Sequence, residues 1–86
     1  MREIAHFIDG EAVQGASDRF GDVFNPNTGD VQARVQLATE AELDRAVQSA
    51  LRAQQTWALV NPQRRARVMF EFKRLVEANM DELAEL

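Results

Sequence analysis

"VFNPNTGDVQARV", residues 23–35, sets a stiff turn between two extended runs, and its reading decides how the first half of the chain folds. Pro26 holds φ near about −65° and Gly29 is free to adopt the positive φ that reverses a chain. After the turn, Val31, Ala33, Val35 and Leu37 alternate with Gln32, Arg34 and Gln36. This period of two predicts a strand with one buried face. Before it, Phe20 to Phe24 is a second extended run. The two runs make an antiparallel pair.

Upstream, "EIAHFIDGEAV", residues 3–13, predicts an amino-terminal β-hairpin. Asp9-Gly10 suits a type I′ turn, which needs positive φ at both central positions. Ile4, His6 and Ile8 would share one face, with Ala5 and Phe7 on the other. "QGASDR", residues 14–19, reads as a polar loop.

Downstream, the period changes at Ala38-Thr39. "TEAE", residues 39–42, is a capping box, in which the Thr39 hydroxyl and the Glu42 carboxylate each accept from the other residue's amide. Leu43, Ala46, Val47, Ala50, Leu51, Trp57 and Ala58 follow helical spacing. Asn61-Pro62 ends this helix and starts a second, with asparagine as cap and proline in the first position. Val68, Met69, Phe72, Leu75 and Val76 form the second stripe, and Asn79 with Glu82 would cap a third helix, "MDELAEL". The fold class is α+β: a β-hairpin, a second antiparallel strand pair, two long amphipathic helices and the start of a third.

Eighty-six residues make at most one small domain. The absence of cysteine rules out a disulfide, a thiolate nucleophile or a cysteine metal site within this chain. A net charge of −4 disfavours a general nucleic-acid binder. No apolar run approaches the ~20 residues of a membrane span, so the chain reads as cytoplasmic, with neither nucleic acid nor membrane as partner.

Few residues invite a chemical reading. His6 is the sole histidine and cannot build a metal site or a triad alone, so it reads as structural. Glu40, Glu42 and Asp44 lie where carboxylates complement a helix dipole, which accounts for them without a metal. Arg64, Arg65 and Arg67 at a helix start could form an anion site. The plainer reading is ion pairing, with Arg67 to Glu71 a local candidate. Trp57 continues a stripe and should be core. Phe70 lies off its stripe, on a face that would need separate cover. The glycines at 10, 15, 21 and 29 form no phosphate-binding loop. Catalytic, cofactor-binding and metal residues are therefore all assigned as none.

The turn stretch resembles the amino-terminal signature of the aldehyde dehydrogenase superfamily, with Asn25, Pro26, Thr28 and Gly29 matching it. Within the wider run "HFIDGEAVQGASDRFGDVFNPNTGDVQARVQLAT", the phrases "RFGDVFNP" and "VQARV" are most similar to the CoA-acylating methylmalonate-semialdehyde dehydrogenases. "AVQSALRAQQTWALVNPQRRARVMFEFKRLVEANMDELAEL" resembles the first two long helices of that family and the start of the third.

The resemblance implies an oligomeric enzyme that oxidises malonate or methylmalonate semialdehyde. NAD and coenzyme A would be its cosubstrates, and a cysteine thioester its intermediate. Residues 1–38 would form a β-hairpin and strand segment and 39–86 a helical segment, together the amino-terminal part of the NAD-binding domain. The partners implied are the rest of the same polypeptide and further copies of it. The apolar stripe begun by Leu83 and Leu86 has no closing residue, which reads as a truncated chain. On this view the 86 residues alone are inactive. The alternative is a self-contained interaction module that binds a partner or an anion through Arg64, Arg65 and Arg67 with Phe70.

Overall fold

A computed structural model describes all 86 residues, Met1–Leu86. By their internal contacts they divide into two compact units, Met1–Ala53 and Gln54–Leu86.

The first unit grows from the Asn25–Asp30 turn. The Asn25 amide donates to the Asp30 carbonyl at 2.7 Å and the Gly29 amide to the Asn25 carbonyl at 2.8 Å. The Asn25 Oδ1 accepts from the Asn27 amide at 2.9 Å, and Gly29 adopts φ 79°. The closed turn aligns β4 (Phe20–Phe24) against β5 (Val31–Gln36), antiparallel from Phe20↔Gln36 to Val23↔Ala33, with an irregularity between Val23 and Phe24.

The other edge of β5 is taken by β1 (Arg2–Ile4), which pairs parallel with Arg2 opposite Ala33 and Ile4 opposite Val35. The sheet order is β1-β5-β4. Ala33, flanked by strands on both sides, is the one large-sheet apolar side chain with no exposure.

A separate hairpin joins β2 (His6–Ile8) to β3 (Glu11–Val13). Asp9 at φ 55° and Gly10 at φ 78° supply the two positive values that its turn demands. The expected continuous hairpin arm from Glu3 is thus divided at Ala5. Ile4 joins the three-stranded sheet, while His6 and Ile8 join the two-stranded one. Alternation tells which side chains share a face. It does not tell which unpaired edge will recruit the backbone, and β5 offers such an edge.

Helix α1 spans Glu40–Trp57. The Thr39 amide donates to Glu42 Oε1 at 3.0 Å and the Glu42 amide to Thr39 Oγ1 at 3.2 Å, so the capping box closes in both directions. The face of α1 shielded within this unit runs through Glu42, Ala46 and Ser49. Leu43, Val47 and Leu51 remain exposed, contrary to the reading of that stripe as the buried one.

In the second unit, α2 (Pro62–Ala78) starts as its sequence requires, with Asn61 Oδ1 accepting from the Arg64 amide at 2.9 Å and proline in the first turn. Its end differs from expectation. Asn79 does not cap α3 (Met80–Glu85) through its side chain. Its Nδ2 instead donates back to the Leu75 carbonyl at 2.7 Å. An asparagine between two helices has one side chain to spend, and here it satisfies a carbonyl that the end of α2 leaves open. Trp57 is 42% exposed and Phe70 70% exposed, so the core assignment of Trp57 does not hold within these residues.

Gly29→Val should lower stability by about 1–2 kcal/mol, because a β-branched side chain resists the left-handed backbone. Gly29→Asn should cost less. Urea unfolding followed by far-UV circular dichroism measures both.

Candidate functional site

The most closely knit polar group in the first unit centres on Glu42, whose residue exposure is 4%. Besides the Thr39 amide, its carboxylate accepts from the Ala16 amide at 3.3 Å through Oε2. The same Oε2 lies 3.5 Å from His6 Nε2. Gln36 completes the group: its Nε2 donates to the Ser17 carbonyl at 2.6 Å, and its Oε1 accepts from Gln14 Nε2 at 3.4 Å. Although it sits on the nominally polar face of β5, Gln36 is buried, because the loop of residues 14–17 folds across it.

Gly15 lets that loop approach. A Cβ there would stand 2.5 Å from Gln36 Oε1 and 3.0 Å from His6 Nε2. Strand β2, the loop, β5 and the first turn of α1 therefore meet through side-chain polar groups.

The Thr39 amide is the main reason the Glu42 carboxyl is held below its ordinary value, against the opposing effect of burial. The Thr39 hydroxyl, the Ala16 amide and the His6 charge add smaller effects in the same direction. Helix-start position accounts for part of the Glu42 environment. The contacts to Ala16 and His6 come from distant sequence, and no local spacing announced them. Glu40 and Asp44 stay exposed on the first turns of α1.

Arg64, Arg65 and Arg67 do not converge on an anion site. Pro62 has no amide to offer, and the Arg64 amide is already bonded to Asn61 Oδ1. The Arg65 amide is bonded to the Asn61 carbonyl at 3.1 Å. Of the side chains, Arg64 and Arg67 are exposed and Arg65 is half-buried, its Nε shielded without a hydrogen-bond partner. Nor does Arg67 pair with Glu71. Arg74, one turn on, takes that carboxylate through two nitrogens and holds its carboxyl below the ordinary range.

Two other concavities are shallow. One of about 200 Å³ between the hairpin and α1 mixes Asp9 and Glu11 with Arg45 and Arg52. Another of about 370 Å³ is lined by Phe72, Leu75, Val76 and Leu83 along α2 and α3. In the first, the Ser49 hydroxyl donates to Asp9 Oδ1 at 3.3 Å on the exposed surface, and no group of three His, Cys, Asp or Glu side chains is placed to hold a metal ion.

With no active-site constellation, the relationships of the chain carry the assignment. The model of the aldehyde dehydrogenase family matches residues 12–86. The chain belongs to the aldehyde dehydrogenase family.

Within it, the chain is 43% identical over all 86 residues to a malonate-semialdehyde dehydrogenase of Listeria monocytogenes serotype 4a (strain HCC23), covering 18% of that protein. A crystal structure assigned as a methylmalonate-semialdehyde dehydrogenase from Sinorhizobium meliloti 1021, complexed with NAD, superposes with a TM-score of 0.90 at 55% identity. It covers 99% of this chain and 17% of its own. A methylmalonate-semialdehyde dehydrogenase from Oceanimonas doudoroffii gives 0.85 at 40% identity, over 95% of this chain and 17% of its own. The chain thus spans less than a fifth of the length of the proteins it matches.

Glu42 supplies a pH test. Because its folded value is depressed, its contribution to stability is complete above the unfolded carboxylate range near about 4.3 and is lost as pH falls through the lower folded value. The stability difference between the unmodified chain and Glu42→Gln should therefore shrink towards zero between about pH 5 and about pH 2. Denaturant titrations at a series of pH values would measure it.

Proposed function

We propose that these residues are the amino-terminal part of an NAD-dependent, CoA-acylating dehydrogenase of malonate or methylmalonate semialdehyde. The observation that carries this reading is the 55% identity and 0.90 TM-score to the Sinorhizobium meliloti protein across nearly the whole chain. Identity to malonate-semialdehyde dehydrogenases supports the same substrate class.

In such an enzyme a cysteine thiolate attacks the aldehyde carbon to give a thiohemiacetal. NAD would take up the hydride from that carbon, and the acyl group of the resulting thioester would pass to the sulfur of coenzyme A, with the cysteine thiol as leaving group. This chain has no cysteine and no glycine-rich phosphate loop, so its residues do not fit either cosubstrate. We assign all of that chemistry to residues outside 1–86. The role of this segment is structural, residues 1–38 as a strand segment and 39–86 as a helical one within the NAD-binding domain.

Three features support an assembled setting. Leu43, Val47 and Leu51 on α1 are exposed, as are Phe70 and Phe72 on α2 and Leu83 with Leu86 further on. Burying a large apolar side chain is favourable by ~1.5–3 kcal/mol, so these faces are made to be covered. We assign that cover to the remaining polypeptide and to further copies of the protein. No helix is long and apolar enough to cross a membrane, and we infer a cytoplasmic setting.

The rival reading, an anion-binding interaction module, has less support, because the amides and arginines at the start of α2 do not converge.

An assay with malonate or methylmalonate semialdehyde, NAD and coenzyme A tests the proposal. The 86-residue chain should form no NADH, whereas the longer polypeptide that carries it should form NADH and acyl-CoA in equal amounts. Acid rather than acyl-CoA as product would remove coenzyme A from the assignment. Turnover by the 86 residues alone would overturn the structural role.

The isolated chain should self-associate, and Phe70→Glu should shift it towards monomer. Light scattering at high concentration measures this. A monodisperse monomer of the unmodified chain would contradict it.

A further inference from the structure

Arg65 is a charge set into an apolar line. Helix positions three, four, seven and eleven apart share one face, and from Arg65 that face runs through Val68, Met69, Phe72 and Val76. Val68, Met69 and Phe72 are exposed and Val76 is half-buried. The guanidinium therefore heads the stripe of α2 that residues 1–86 leave uncovered. Arg64 and Arg67 are exposed on other faces of the same turns.

Nothing on the helix neutralises Arg65. Its neighbours three and four positions away are Asn61, Pro62, Val68 and Met69, none of them acidic. Its Nε is shielded from solvent yet has no hydrogen-bond partner. Glu71 is taken by Arg74 and Glu77 by Lys73. The acids of α3 lie beyond the end of α2, which is about 20 Å along the axis from Arg65 at 1.5 Å per residue. A cation at a helix start also opposes the dipole. Arginine cannot escape by losing its proton. Covering the stripe with apolar groups alone would strand the charge in a dry contact, which is costly. The cover must bring an oxygen acceptor, and the planar guanidinium matches a carboxylate through two parallel hydrogen bonds.

We propose that this stripe is the docking surface for another segment of the same polypeptide, and that this segment carries an aspartate or glutamate whose carboxylate pairs with Arg65. The inference rests on the reading of residues 1–86 as part of a longer dehydrogenase, since they span less than a fifth of the proteins they match. A second copy's α2 would present the same line, which contains no acid, so self-pairing through this face leaves Arg65 unmatched. The apolar side chains supply contact area and Arg65 fixes register. A slip of one turn, about 5.4 Å, would separate the charges and bury both unpaired.

Thermal unfolding of the 86-residue chain and of the longer polypeptide that carries it tests the pairing. Arg65→Met keeps an unbranched stem and removes the charge. In the 86-residue chain it should leave the Tm unchanged or raise it, because no partner is lost. In the longer polypeptide it should lower the Tm by several degrees, because a buried carboxylate is left alone. Arg65→Lys, with the charge but not the fork, should lower it by less. Arg64→Met should change neither. In the longer polypeptide, Arg65→Glu should be rescued by changing one aspartate or glutamate outside residues 1–86 to lysine or arginine, which identifies the partner. An unchanged Tm for Arg65→Met in the longer polypeptide would overturn the pairing, as would rescue at no acidic position. An equal loss in both proteins would also overturn it, placing the partner within residues 1–86 or, where the loss in the short chain depends on protein concentration, in a second copy. None of these readouts depends on substrate or cosubstrate, so failure of the pairing and failure of the dehydrogenase assay are told apart.

Discussion

The carboxylate of Glu42 is the contact on which the first unit turns. Helix α1 needs acceptors for its leading amides, and the capping box of Thr39 and Glu42 provides them reciprocally. A capping glutamate usually sits in water, where one oxygen remains free. Here the free oxygen faces the Ala16 amide and His6, and the helix start is thereby tied to a loop and to strand β2. Buried carboxylates are costly unless their lone pairs are used, and this one accepts from the Thr39 amide through one oxygen and the Ala16 amide through the other. Polar contacts of this kind specify position more strictly than apolar ones, because a shift of an ångström breaks them. They matter more than usual in a unit whose fully buried apolar content is Ala33.

That thin core has a consequence for how the helices should be understood. The shielded line of α1 runs along Glu42, Ala46 and Ser49, while its leucines and Val47 lie on another face. That line is made of small and polar side chains. The large apolar ones stay exposed within these residues. In α2 the same holds on a larger scale, with Val68, Met69, Phe70, Phe72 and Leu75 all exposed. A helix apolar around much of its surface belongs inside a larger body. The chain covers 17% of the Sinorhizobium meliloti protein to which it is 55% identical.

The legible parts of the sequence are those governed by near neighbours. The Asn-Pro turn, the Asp9-Gly10 hairpin, the Thr39–Glu42 box and the Asn61-Pro62 helix start each depend on residues within a few positions of one another. Their signals are stereochemical, so the expected form and the structure coincide. Features set by distant partners were hidden. Nothing in "EIAHFI" reveals that Ile4 will pair with β5 while His6 pairs with β3, since both choices preserve the alternation. Gln36 reads as a solvent-facing residue until the loop of residues 14–17 covers it. Trp57 reads as core because its spacing is right, but spacing names a face without saying what lies against it. The His6–Glu42 approach had no local trace at all. Gly15 was the one residue that could have hinted at it, through the close packing a missing Cβ permits.

The turn at residues 25–30 shows how a segment can carry family membership through geometry. Its hydrogen bonds join Asn25 to Asn27, Gly29 and Asp30, and the Asp30 amide to Thr28 Oγ1, so all of them stay within the turn. What the turn does is set the register of β4 against β5, and that register places Ala33 between β1 and β4. A slip of one residue would exchange the two faces of β5 and carry Gln36 away from the loop that binds it. The identity of such a segment therefore resides in residues that keep geometry.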